Sequence, residues 1–107
     1  MGTLLKTYCN FCNYENNRIN FGASMEEAEA GECYVPALKN NSSTIEKINI
    51  RNKNNHNNYI FYTDPLFYLN NSEGVYNAWE FKLMKKYNLC PFCKKYEMEF
   101  IYRGEYD

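Results

Sequence analysis

The chain carries two short cysteine motifs that could bind a metal, one near each end of the sequence. Cys9 and Cys12 lie in YCNFCNY, and Cys90 and Cys93 lie in LCPFCKKY. In each motif a phenylalanine directly precedes the second cysteine, and a Tyr-Glu pair follows shortly after it. Four thiolates in two such pairs are a ligand set that a structural Zn²⁺ binds in tetrahedral geometry, with Zn–S distances of about 2.3 Å. The sequence therefore predicts one structural Zn²⁺ per chain.

Metal-binding turns followed by alternating strands resemble the zinc ribbons, in which two such turns at hairpin tips face each other across one Zn²⁺. The resemblance rests on the four cysteines and their flanking strands, about the first 21 and the last 20 residues. The spacer departs from the family pattern, because residues 13–89 make 77 residues between the motifs, whereas about 15–20 is usual. We therefore expect a single zinc-stabilised domain, with ribbon halves at about 3–21 and 88–103 and an insertion at about 22–87.

The long spacer is energetically compatible with one shared metal site. Closing a loop of 77 residues costs roughly 4 kcal/mol by the (3/2)RT ln n relation. A structural Zn²⁺ contributes on the order of 10 kcal/mol or more to the folding of a small domain. The metal should therefore hold the two ends of the chain together, and its loss should unfold most of the protein.

The same cysteines allow two redox interpretations. The segment Cys90-Pro91-Phe92-Cys93 resembles the active-site turn of glutaredoxins, but in that family the motif opens a helix whose N-terminus lowers the pKa of the first thiol. Here the residues after Cys93 alternate like a strand, and a catalytic dithiol leaves the N-terminal pair unexplained. A thiol redox switch that releases its metal on oxidation is the other alternative.

A catalytic zinc site is a further alternative, and it would need other ligands. Such sites usually combine three protein ligands with a bound water, whereas four thiolates fill the coordination shell. Cys33 and His56 are the spare-ligand candidates. Cys33 is better explained as a small buried apolar residue, and His56 as an exposed residue of an Asn-rich loop. Because the chain also lacks a Gly-rich phosphate loop and a G-x-S-x-G motif, we predict that it is not an enzyme.

Length and composition limit the remaining possibilities. The 107 residues make one domain by length, and 11 Tyr with 7 Phe predict an aromatic-rich core. The net charge of −1 gives no overall attraction to nucleic acid or to anionic membranes. No apolar stretch is long enough for a membrane span or a signal peptide. Five cysteines, an odd number, without a secretion signal favour the cytoplasm.

Alternation and turn residues predict a chain made mostly of strands. Strands are predicted at Thr3–Tyr8, Tyr14–Phe21, Thr44–Arg51, Tyr59–Thr63 and Lys95–Arg103, and a short helix at 24–30. The two central strands flank a polar seven-residue loop and are predicted to pair as a β-hairpin. Cys33–Val35 has the character of a short β segment that ends at Pro36, and Asn13 is expected to adopt a positive φ.

The segment 72–88 fits two interpretations. As a helix it begins at a serine or asparagine cap and places Val75 and Trp79 on one face. As a strand it alternates Trp79, Phe81 and Leu83 with charged residues. Its content of Ala, Glu, Lys, Leu and Met slightly favours the helix. The predicted fold class is therefore α+β and β-rich, with a zinc-ribbon-like clasp formed by the two termini and a central β-hairpin, and with one helix at 72–88 if the slightly favoured interpretation of that segment holds.

Two kinds of partner fit a protein without catalytic groups. The residues that could contact a partner are the lysines around the second cysteine motif and one residue of an aromatic run, namely Lys85, Lys86, Lys94, Lys95 and Phe67. A protein-interaction or regulatory module would use the aromatic residue, and a nucleic-acid-binding zinc ribbon would use the lysines. The slightly acidic balance favours a protein partner over nucleic acid, and no membrane partner is expected.

Overall fold

The computed structural model describes residues 2–69 and 74–106. Within these ranges the fold is β-rich, with eight strands and two short α-helices, which confirms the predicted α+β class. The strands are β1 Gly2–Cys9, β2 Glu15–Gly22, β3 Tyr34–Lys39, β4 Ile45–Asn49, β5 Tyr59–Phe61, β6 Val75–Ala78, β7 Phe81–Met84 and β8 Met98–Tyr106. The helices are α1 Met25–Glu29 and α2 Pro65–Tyr68, and a 3-10 turn spans Lys53–Asn55.

The first and last strands, β1 and β8, lie side by side in the main sheet. The main sheet has the order β4-β3-β2-β1-β8, and β1 pairs antiparallel with both β2 and β8. Leu5 lies opposite Ile19 on one side and Tyr102 on the other, and it is fully buried. The two ends of the chain therefore meet along one antiparallel ladder, whose register shifts once between Leu4 and Leu5, as the predicted clasp requires.

The core is built from residues of the main sheet, the β6–β7 hairpin and the cysteine turns. Its buried members include Leu5, Phe21, Val35, Tyr62, Leu83, Met98 and Phe100, together with Cys9 and Cys90. Tyr62 lies with its ring edge towards Phe100, at a centroid distance of 5.5 Å. Tyr62, Phe21 and Phe100 are the largest fully buried side chains, whereas the other buried members of this cluster are aliphatic residues and cysteines. The predicted aromatic-rich core is therefore borne out only in these three rings.

The predicted central hairpin is wrong in its pairing. Thr44–Arg51 and Tyr59–Thr63 do contain strands, but β4 and β5 each pair with β3 rather than with each other. Residues 35–38 of β3 are all buried, so this strand occupies the interior of the sheet and needs hydrogen-bond partners on both edges. The polar loop between β4 and β5 is long enough to cross from one edge of β3 to the other.

The prediction that Pro36 ends its strand is also wrong, because Pro36 lies within β3. The Pro36 carbonyl accepts a hydrogen bond from the backbone N–H of Tyr62, at 3.3 Å. In an extended strand the N–H and C=O of one residue point to the same edge, so the missing proline N–H faces Tyr62 and not β4. The ladder with β4 therefore loses no donor.

The helix predicted at 72–88 is wrong for the described part of that segment, which forms an antiparallel hairpin. Val75 pairs with Met84 and Ala78 with Phe81, and Trp79 has φ 53° in the turn between the strands. The hairpin buries Leu83 and Met84 against the core, a tertiary gain that outweighs a weak helix propensity. Residues 72 and 73 lie outside the described ranges.

The short helices follow from local capping residues. The Ser24 hydroxyl accepts from the Glu27 N–H, and the Glu27 carboxylate accepts from the Ser24 N–H, so the predicted capping box at α1 is confirmed. At α2 the Asp64 carboxylate accepts from the Leu66 N–H, and Pro65 occupies the first turn. Among the described residues no helix combines the length and apolar character needed to cross a membrane.

Candidate metal centre

The first cysteine turn closes the hairpin between β1 and β2. Cys9 is the last residue of β1, and its N–H donates to the Tyr14 carbonyl at 2.8 Å. The Asn13 N–H donates to the Cys9 carbonyl at 3.0 Å, which bends the chain back around Cys12. Asn13 has φ 66°, the left-handed conformation expected for this asparagine.

The second turn repeats this backbone pattern. The Cys90 N–H donates to the Lys95 carbonyl at 2.9 Å, and the Lys94 N–H donates to the Cys90 carbonyl at 3.0 Å. Lys94 has φ 61° and corresponds to Asn13 of the first turn. The two motifs, which are similar in sequence, therefore also have the same backbone conformation.

The two turns face each other and bring their four thiols into one cluster. The Sγ of Cys9 lies 3.7 Å from that of Cys93, and the Sγ of Cys12 lies 3.6 Å from that of Cys90. All four Sγ atoms lie within 4.8 Å of one another. A tetrahedron of sulfurs about 2.3 Å from a central ion has edges of about 3.8 Å, so these cysteines are positioned to bind one metal ion.

Burial divides the cluster into an inner and an outer pair. Cys9 and Cys90 are fully buried, whereas Cys12 and Cys93 are partly exposed. All four are free thiols, and their separations are far beyond the roughly 2.05 Å of a disulfide. A bound ion would therefore face the core through Cys9 and Cys90 and the solvent through Cys12 and Cys93.

Backbone N–H groups and burial act in opposite directions on the thiols. Burial raises the pKa of Cys9, but hydrogen bonds from the Cys12 and Phe11 N–H groups outweigh it and lower the value to about 7. Burial raises the pKa of Cys90 to about 12 and also raises that of Cys93. In the metal-free protein the second turn therefore holds its protons at neutral pH, and a bound cation would have to displace them.

Asn10 joins the two turns, a role that the sequence did not indicate. Its N–H donates to the Glu97 carbonyl at 2.9 Å, and its side-chain amide donates to the Glu99 carboxylate at 2.9 Å. On the same side the Thr7 hydroxyl donates to the Glu99 carbonyl at 2.9 Å. These bonds fix the end of β1 against the start of β8, where the two cysteine pairs meet.

The spare-ligand candidates lie elsewhere in the fold. Cys33 is fully buried in the core, and burial raises its pKa to about 11. His56 is exposed, and its Nε2 lies 2.7 Å from the Ile50 carbonyl. Neither belongs to the cluster of metal-ligating side chains that the described residues form, which consists of the four predicted cysteines.

The lysine candidates are exposed around the second turn and the preceding hairpin. The ammonium group of Lys94 donates to the Ser42 carbonyl at 3.1 Å, and that of Lys95 lies 4.7 Å from the centre of the Phe11 ring. The Lys85 ammonium lies 5.1 Å from the Tyr76 ring centre, and Lys86 is exposed directly after it.

Phe67 is half-buried rather than an exposed anchor. It stacks on Tyr62 with a centroid distance of 6.2 Å and lies 6.5 Å from the ring of Tyr96. Tyr96 follows the second cysteine turn and is itself exposed. Phe67 therefore links the buried Tyr62 to an exposed ring beside the candidate metal centre.

Comparison with models of known protein families, with curated proteins and with solved structures found no match. The zinc-ribbon resemblance therefore rests on the two cysteine turns and their flanking strands.

Proposed function

We propose that the chain is a small zinc-binding protein in which Cys9, Cys12, Cys90 and Cys93 hold one structural Zn²⁺. The observation that carries this proposal is the spacing of the four Sγ atoms, all within 4.8 Å of one another. Two of the Sγ–Sγ distances, 3.6 and 3.7 Å, join the two turns and match the edge of a zinc–thiolate tetrahedron, about 3.8 Å.

The ligand set supports a structural rather than a catalytic metal. Four thiolates occupy every position of a tetrahedral ion and leave none for a water or a substrate. Clamping β1 against β8 is the task that such an ion can perform in this fold. We therefore propose a non-enzymatic module, with a role in protein interaction or regulation and a cytoplasmic location where the thiols stay reduced.

The surface that best fits a protein partner lies on the two cysteine turns. Phe11 and Phe92 occupy the same position in the two turns, and they are 61% and 68% exposed. Tyr96, four residues after Phe92, is 55% exposed, and Lys94 and Lys95 lie between these two rings in the sequence. Exposed aromatic rings are typical anchors of protein interfaces.

Elemental analysis of the purified protein tests the metal site. We expect about one zinc per chain in protein prepared reduced and without chelator, and loss of that zinc in Cys90→Ser. Cys33→Ser is the matched control, because it removes a buried cysteine outside the cluster and should keep the metal. The same measurement detects iron, which four thiolates also accept. Less than half an equivalent of zinc in the native protein would contradict the proposal.

The charge distribution gives a specific reason to consider nucleic acid as a second candidate partner. Residues 81–96 contain five of the twelve basic residues and no acidic one, which leaves seven basic and thirteen acidic residues, a net −6, in the rest of the chain. Lysines interleaved with exposed aromatic rings suit a single strand, since its phosphates pair with the lysines and its bases stack on the rings.

Fluorescence anisotropy with a labelled oligothymidylate at low salt separates the two partners. Nucleic-acid binding predicts an affinity that falls with salt and is lost in Lys94→Glu/Lys95→Glu. Lys6→Glu/Lys53→Glu is the matched control, with the same change in net charge at other positions. If wild-type protein at low salt does not bind the strand, the nucleic-acid candidate is removed and the protein partner stands.

A further inference from the structure

Tyr62 lies in the insertion yet contacts the chain on both sides of the second cysteine turn. It is fully buried, and its hydroxyl donates to the Leu89 carbonyl at 2.5 Å, directly before Cys90. Its ring packs edge-on against Phe100, which follows the turn in β8. The backbone of Tyr62 is itself held by the Pro36 carbonyl in β3.

The hydrogen bond to Leu89 fixes the peptide group that enters Cys90. The carbonyl of this peptide accepts from Tyr62, and its N–H, which belongs to Cys90, donates to the Lys95 carbonyl at 2.9 Å. On the other side of the Cys90 Cα, the Cys90 carbonyl accepts from the Lys94 N–H at 3.0 Å. Because both planar peptide groups that flank this Cα are held, the direction in which the Cys90 side chain leaves the backbone is also held. The inner thiol of the second turn thus depends on a residue 28 positions earlier in the sequence.

The first cysteine turn needs no such residue, because the sheet provides the same support. Tyr8, directly before Cys9, pairs with Glu15 of β2 on one side and Glu99 of β8 on the other. The second turn is preceded only by an isolated bridge between Asn88 and Met98. The Tyr62 hydroxyl therefore occupies the place that a neighbouring strand fills at the first turn.

Burial also keeps the Tyr62 hydroxyl in its donor form. Loss of solvent around the ring raises the pKa of this phenol far above its ordinary value, so the proton stays on the oxygen throughout the usual pH range. Separating this pair is costly, because the buried Tyr62 hydroxyl would be left without a partner.

We infer that Tyr62 is a positioning residue for the metal, which orients Cys90 through the Leu89 carbonyl and couples the insertion to the cysteine cluster. This inference rests on the proposed metal site. It assigns to the insertion a part in metal binding, since β3 and β5 hold Tyr62 in place. Groups that hydrogen-bond directly to metal ligands typically change metal affinity by about 10- to 100-fold when they are removed. Tyr62 acts through the peptide group before its ligand, so we expect an effect at the lower end of this range.

Tyr62→Phe tests the inference, because it removes the hydroxyl and keeps the ring against Phe67 and Phe100. Tyr76→Phe is the matched control, since the Tyr76 hydroxyl also donates to a backbone carbonyl, that of Phe100, at 3.1 Å. Zinc affinity is measured by competition with a chromogenic chelator, and site geometry by the absorption bands of the Co²⁺-loaded proteins. We expect an affinity loss of about 10-fold and shifted Co²⁺ bands in Tyr62→Phe, and less than a twofold change with wild-type bands in Tyr76→Phe.

The outcomes separate this inference from the proposed function. Zinc-loaded wild type with equal affinity and spectra in the two variants would overturn the positioning role alone. A Tyr62→Phe protein that fails to fold even with zinc would also overturn it, because the hydroxyl would then support the fold and not the site. Wild-type protein that binds neither zinc nor Co²⁺ would overturn both the positioning role and the proposed function.

Discussion

At the scale of single residues, Asn10 links the two cysteine turns through its backbone and its side chain. Its amide group reaches the Glu99 carboxylate, and both groups lie at the surface. We expect Asn10→Ala to lower the free energy of unfolding of the zinc-loaded protein by about 1 kcal/mol, the usual net value of one hydrogen bond. Urea denaturation measures this change. Asn54→Ala, in the loop between β4 and β5, is the control, and an equal loss there would contradict the linking role.

Protons and metal compete for the same sulfur atoms, which predicts how zinc affinity depends on pH. In the metal-free protein burial raises the pKa of Cys90 to about 12 and raises that of Cys93 as well, so both are protonated at pH 7. Zinc binds thiolates, so binding must release these protons. Affinity should therefore rise as pH rises and fall as pH falls, by at least about 100-fold for each unit near neutrality.

Calorimetry in buffers of different ionisation enthalpy measures the protons released on zinc binding. The two raised thiol pKa values predict at least two protons per zinc at pH 7, from Cys90 and Cys93. A heat of binding that is the same in all buffers would mean that no protons leave, which would contradict this ligand assignment.

At the scale of structural elements, the two cysteine turns share one backbone conformation. The residue in the left-handed conformation differs, however: it is Asn13 in the first turn and Lys94 in the second. Asn13 tolerates φ 66° well, whereas Lys94 adopts φ 61° against the preference of a long side chain. Asn13→Ala should therefore destabilise the zinc-loaded protein by about 1 kcal/mol, and it also removes the hydrogen bond that the Asn13 side chain accepts from the Tyr8 hydroxyl. Lys94→Gly should stabilise the protein by up to about 1 kcal/mol, because the exposed hydrogen bond from Lys94 to the Ser42 carbonyl contributes little.

Thermal unfolding of the two zinc-loaded variants compares these positions directly. The expected result is a lower melting temperature for Asn13→Ala and a higher one for Lys94→Gly, relative to wild type. Lys95→Gly, one residue further along, is the control for loss of a lysine side chain. A change of the same sign in both turn variants would argue against a shared left-handed position.

The elements also show what the sequence could predict. The cysteine turns, the positive φ of Asn13 and the capping box of α1 depend on residues close in the chain, and they were found from the sequence. The pairing of β4 and β5 with β3 depends on contacts across the sheet, which local alternation does not encode. Local propensity also favoured a helix at 72–88. The hairpin observed there is decided by burial of Leu83 and Met84 against the rest of the fold, which the local sequence does not show.

The sequence could predict the four metal ligands, but not the hydrogen bonds that hold the two cysteine turns in place. Spacing and residue type indicate the four cysteines, because metal ligands have a recognisable pattern. Nothing in the linear sequence connects Tyr62 with Leu89, or Asn10 with Glu99, because these contacts exist only after the sheet has formed.

At the scale of the whole molecule, the metal would join the two ends of a chain whose core is small. The four ligands come from one turn near each terminus, and 77 residues separate the two turns in the sequence. A structural Zn²⁺ contributes on the order of 10 kcal/mol, comparable with the whole stability of a small domain. We therefore expect chelation to unfold most of the protein.

Circular dichroism during titration with a chelator measures this coupling. The strand signal and the cooperative thermal transition should both disappear as zinc is removed, and both should return when zinc, but not magnesium, is added back. Chelator already saturated with zinc is the control. A metal-free protein that keeps its spectrum and a cooperative transition would show that the fold does not depend on the ion.

The most direct test of the central claim is X-ray absorption at the zinc edge of the purified protein, which counts the atoms bound to the metal and identifies them. We expect a first shell of four sulfur atoms at about 2.3 Å, one from each cysteine of the two turns. A first shell that contains nitrogen or oxygen, or fewer than four sulfurs, would contradict it.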